Sequence, residues 1–133
     1  MKISKSRYTK KSGKIKPTDV SSTQSIMDRR PKFSLKYLGG QYCISKCTKE
    51  EKASFADRIH LLSQQTWSQI FQGDRHGSGF EKINEPLSWI SNNFSEKQII
   101  AFRFSGMKAM IGFADKEIFY VLGLDRDFSS YGH

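Results

Sequence analysis

The chain has 133 residues, a hydrophobic fraction of 37% and a formal net charge of +9, a length that suits one core and leaves too little for two without disulfides or metal. Ten Phe, five Tyr and two Trp supply large side chains whose burial can stabilise a domain of that size. No apolar run approaches the roughly 20 residues that cross a bilayer, and the amino terminus has no apolar signal-peptide stretch, which excludes a membrane span and predicts a cytoplasmic protein.

The charge is concentrated at the front. Residues 1–32 carry ten Lys or Arg against Asp19 and Asp28, whereas the remaining 101 carry twelve basic residues against eleven acidic ones. Ser, Thr and Lys dominate this stretch without a period of 2 or 3.6, so too little apolar surface exists to offset the entropy of ordering. The expectation is a flexible, disordered basic arm over 1–32 and one domain over 33–133. Such an arm suits RNA, an acidic protein or an anionic surface, and a solvated tail is the alternative. Ile3, Tyr8 and Ile15 do not make the apolar helical face of a transit peptide.

After Pro31, Phe33, Leu35 and Tyr37 alternate with Ser34 and Lys36 in the pattern of a half-buried strand. Gly39-Gly40 then interrupts, and Gln41 to Ile44 continues either a bent strand or a tight hairpin. Cys43 and Cys47 lack the His pair that would complete a four-ligand zinc site and read as reduced thiols, with Cys47 placed to pack before a helix. No metal and no cofactor are expected. Thr48-Lys49-Glu50-Glu51 is a capping box that opens a helix, with Phe55, Ile59, Leu62 and Thr66 on one face and Lys52, Asp57, Arg58 and Gln64 towards water. A second box, Thr66 to Gln69, starts another helix that ends before Gly73 and turns Trp67, Ile70 and Phe71 to the core; one kinked helix is the alternative. Residues 73–98 read as loop, with a short strand finishing near Ile83 and Trp89 folding over the sheet. Ile99 to Phe104, Lys108 to Phe113 and Ile118 to Leu124 are strands joined by two short turns, hence an antiparallel meander. Strand, helices, meander defines an α+β layer fold.

Three phrases carry a family resemblance: His76-Gly77-Ser78-Gly79-Phe80-Glu81-Lys82-Ile83, Ala101-Phe102-Arg103-Phe104-Ser105-Gly106, and Ile118-Phe119-Tyr120-Val121-Leu122-Gly123-Leu124-Asp125-Arg126-Asp127. In this order, over residues 33–133, they resemble the RelE/ParE superfamily of toxins from bacterial toxin-antitoxin pairs. The resemblance implies two helices packed on a small antiparallel sheet, a cognate antitoxin protein as partner, and ribosome-dependent mRNA cleavage without metal. A non-catalytic binding protein of the same fold, directed at gyrase or at the ribosome, is the alternative. Departures from the pattern are the long basic arm and a nearly neutral body.

Cleavage by a 2'-hydroxyl needs a base, a cation on the phosphate and an acid for the leaving oxygen. Arg103 is the candidate cation, since a guanidinium can hold two phosphate oxygens and its strand position lies opposite Phe102 and Phe104; a solvent-facing charge is the alternative. His76, Glu81, Tyr131 and His133 are the acid-base candidates, against the plainer readings of a solvated loop and a frayed terminus. Lys82, Lys108 and Arg126 are further phosphate contacts, and Lys10, Lys11 and Lys14 are the arm's contacts to RNA.

Overall fold

Two reciprocal caps set the helices Lys49–Leu62 and Trp67–Gln72. In the computed structural model, which describes residues 26–73 and 79–127, Thr48 Oγ1 accepts the Glu51 N–H at 3.1 Å and Glu51 Oε1 accepts the Thr48 N–H at 2.7 Å. These bonds satisfy amide donors that a first turn leaves free, and α1 runs Lys49–Leu62 behind them. Thr66 and Gln69 repeat the arrangement for α2, Trp67–Gln72. A turn over 63–65 separates the two helices, so Thr66 caps the second instead of extending the stripe of the first.

Five strands follow the order β1-β5-β4-β3-β2 in one sheet: β1 Lys32–Ser34, β2 Phe80–Ile83, β3 Ile99–Ser105, β4 Lys108–Asp115 and β5 Ile118–Asp125. Strands β2 to β5 form the expected antiparallel meander. The sheet as a whole is mixed, however, because β1 pairs parallel to β5 with Phe33 opposite Phe119. The chain leaves β1 through turns and helices, not a hairpin, so no tight turn imposes the reversal that an antiparallel sheet needs.

The first strand is also shorter than the alternation of Phe33, Leu35 and Tyr37 suggests. It ends at Ser34; Leu35 and Tyr37 are each 42% exposed, and residues 40–46 form two 3-10 turns in place of an extended segment. Packing begins before Phe33. Met27 lies against the core, Pro31 is buried, and the Arg29 carbonyl accepts the Trp67 N–H at 2.9 Å.

The sheet is covered on both faces, by different means. Phe55, Leu62, Trp67 and Ile70 from the helices pack with Phe102, Met110, Phe119 and Leu124 on one face. On the other, Ala101, Ala109 and Ile111 lie under Leu87, Trp89 and Ile90 of the β2–β3 connection. Trp89 packs on Tyr42 in a tilted arrangement with ring centroids 4.4 Å apart, which brings that connection and the turns after β1 together. Of the two free thiols, Cys47 is buried just before α1 and Cys43 is half-buried. Burial raises the Cys47 pKa, while hydrogen bonds from Ser45 lower that of Cys43.

Candidate functional site

Arg103 stands where the sheet face without helices meets its β2 edge. Phe102 and Phe104 turn into the helix-side core, so the period of two in β3 puts Arg103 on the opposite face, half-buried. Its N–H donates to the Gly79 carbonyl at 3.1 Å, one residue before β2 begins. Gly79 has φ +67°, and a Cβ there would lie 3.3 Å from the Arg103 Cβ and 3.1 Å from Arg58 Nη2. Both the left-handed backbone and the close approach call for glycine.

Two guanidinium-bearing residues thus flank one glycine. Arg58 was expected to face water from α1, but it is half-buried, and desolvation lowers its pKa from the ordinary arginine value. The reason is the β2 edge, which α1 overhangs at Gly79; nothing in the helical period marks that approach.

Glu81 pairs with Ala101 and so shares the Arg103 face, two residues away along β3. Across the sheet, Arg103, Ala109 and Asp125 occupy one row on three adjacent strands. At about 4.8 Å per strand, the cation and the carboxylate stand roughly 10 Å apart at their Cα atoms, with only a methyl side chain between. Asp125 is fully buried. The sequence analysis gave it no role; the signal it carried was its position at the end of an apolar strand.

The remaining cations divide. Lys82 pairs with Ile100, a helix-side core residue, and is therefore on the other face from Arg103. Lys108 Nζ lies 2.8 Å from Glu51 Oε2 at the start of α1. Arg126 Nη1 donates to the Lys46 carbonyl and Nη2 to the Gln41 carbonyl, each at 2.9 Å, which clamps the turns after β1 to the end of β5. Lys108 and Arg126, the further phosphate-contact candidates, are thus each bonded within the fold. His76, Tyr131, His133, Lys10, Lys11 and Lys14 lie outside the described residues.

The Lys108 hydrogen bond, and after it the Thr48 N–H, holds the Glu51 carboxyl below its usual 4.5. A carboxylate with a lowered folded pKa contributes stability that is complete above the unfolded value and is lost as pH falls through the folded one. Urea midpoints should therefore drop as the pH goes below 4.5, and Lys108→Gln should flatten that drop. Parallel profiles for the two proteins would rule the pair out as a source of stability.

Chemically, the Arg103 face carries a cation and, on the neighbouring strand, the Glu81 carboxylate, residue types able to hold an oxyanion and take a proton. Among the described residues no cluster of three or more His, Cys, Asp or Glu is placed to hold a metal ion, and no helix is long and apolar enough to cross a membrane. Among the described residues, fold and site define an α+β domain with a five-stranded mixed sheet, the helices Lys49–Leu62 and Trp67–Gln72 on one face and an arginine-bearing edge on the other. Comparison with protein-family models, with curated proteins and with solved structures finds no match for this chain.

Proposed function

We propose that this chain is a toxin of the RelE/ParE type that inhibits translation by cutting mRNA on the ribosome, and that a cognate antitoxin protein holds it in check. The observation that carries the reading is Arg103, half-buried on a sheet strand beside Gly79 and on one face with Glu81. Arg103 holds the scissile phosphate in two-point contact, and Glu81 takes the proton of the 2'-hydroxyl. The leaving 5'-oxygen is protonated by one of His76, Tyr131 and His133. The arm, through Lys10, Lys11 and Lys14, adds contacts to RNA that weaken with salt.

A second reading, a non-catalytic protein of the same fold directed at gyrase or the ribosome, is favoured by one observation. Lys108 and Arg126 are bonded to Glu51 and to backbone carbonyls, which leaves fewer cations for a phosphate path.

A reconstituted translation reaction with mRNA ends mapped by primer extension separates the two. The toxin reading expects codon-positioned cuts that need ribosomes, and a fall of about 100-fold in cutting for Arg103→Ala, the scale set by removing one donor to a developing oxyanion. Intact mRNA with normal translation would overturn it and turn attention to gyrase.

A further inference from the structure

At the far end of β4 from Arg103, the same sheet face carries a cluster of aromatic rings. Tyr37 lies 4.9 Å from Phe94 and 5.5 Å from Tyr120 between ring centroids, and Phe94 lies 5.1 Å from Phe113. Tyr37 is 42% exposed. Beside these rings is a cleft of about 160 Å³ lined by Tyr37, Gly39, Trp89, Ser91, Phe94 and Leu122. It is smaller than the roughly 300 Å³ of a drug-sized site, so it takes one ring system and not a larger molecule.

Two further observations narrow the ligand. The indole Nε1 of Trp89 is buried and has no hydrogen-bond acceptor, although a buried Trp N–H ordinarily finds one. Lys36 Nζ stands 5.1 Å from the Tyr37 ring centroid and Lys97 Nζ 5.4 Å from that of Phe113. Aromatic walls and two cations over rings of the same cluster, Lys97 also 3.9 Å from Asp115 Oδ2, suit a flat heteroaromatic ring with an anionic substituent. A sugar phosphate would leave the rings bare.

We propose that this cleft binds the base of a nucleotide, stacked on Tyr37 and Phe94 with its phosphate beside Lys36 and Lys97. The base comes either from a free nucleotide or from a single-stranded RNA. Neither source depends on the reading of Arg103.

Intrinsic fluorescence of the full chain tests this, because Trp89 lines the cleft while Trp67 is in the core. The probes are AMP, UMP, ribose 5-phosphate, and oligouridylate and oligoadenylate of about ten nucleotides. Base-bearing probes should change the emission saturably and ribose 5-phosphate should not. Saturation by mononucleotides identifies free nucleotide as the source, and saturation by the oligonucleotides alone identifies RNA. Tyr37→Ala should weaken binding about tenfold, the lower range for loss of one base-aromatic stack. Gly39 has an extended backbone, φ −177°, with open space around its Cβ position, so Gly39→Leu should fill the cleft and abolish binding at an unaltered melting temperature. No saturable change at millimolar probe, or undiminished binding by both cleft variants, would overturn the proposal.

Discussion

Gly112→Ala is expected to lower the unfolding free energy by about 3 kcal/mol, the upper end for overpacking a core and a large part of a small domain's total. A Cβ on Gly112 would overlap the backbone carbonyl oxygen of Tyr120 and stand 2.9 Å from the carbonyl carbon and 3.0 Å from Phe119 Cζ. A flexible side chain could rotate away; a ladder carbonyl cannot. The close approach follows from the register shift between Ile111 and Gly112, which brings the β5 backbone over this residue in the middle of the sheet. Relief requires β4 and β5 to part where they hold the two faces of the core. Urea denaturation followed by circular dichroism measures the loss, and a midpoint equal to the wild type would refute the overlap.

Trp67→Ala should cost about 4 kcal/mol, within the range for emptying the site of a buried large aromatic. Trp67 is 1% exposed, stacks on Phe71 with centroids 5.4 Å apart, and donates its indole N–H to the Glu117 carbonyl at 3.0 Å. Its backbone N–H also donates to the Arg29 carbonyl, so one residue ties α2 to the segment before β1 and to the β4–β5 turn. Trp67→Phe separates ring from hydrogen bond. The Glu117 carbonyl keeps the Lys32 N–H as a partner at 3.1 Å, so this change should cost only about 1 kcal/mol plus the smaller loss of ring area. Equal unfolding midpoints for the Ala and Phe variants would contradict this division.

What could be read from the sequence was local. The caps at Thr48 and Thr66 are written in four-residue spans, and the meander in two short turns, so both follow from chemistry within one turn of chain. The length of β1 could not be read in that way. Leu35 and Tyr37 have strand-like alternation, but Tyr37 joins Phe94, Phe113 and Tyr120 on the sheet face, and that preference depends on residues more than fifty positions away. The parallel pairing with β5 is likewise a long-range outcome.

The site was legible residue by residue and not as a constellation. Alternation alone puts Arg103 opposite Phe102 and Phe104. Its neighbours follow from register: Glu81 through Ala101, Asp125 through Ala109. Register also separates Lys82 from Arg103, and a long-range ion pair engages Lys108 with Glu51. Arg58 was assigned to solvent because helical period describes one helix, not the strand edge it overhangs.

The pairing of β1 with β5 bears on how the protein is born. Synthesis delivers the partners of the first strand long after it, and the Arg29–Glu117 ion pair spans 88 positions. Until β5 emerges, a nascent chain has β1 without its neighbour and the Trp67 indole without its acceptor, while β4 lacks the strand that covers one edge. Non-local pairing of this kind is slow and leaves apolar surface open to aggregation while it waits. A chain terminated before Ile118 would therefore hold helices with an unfinished floor, and the emergence of β5, more than local helix formation, sets when this fold can close.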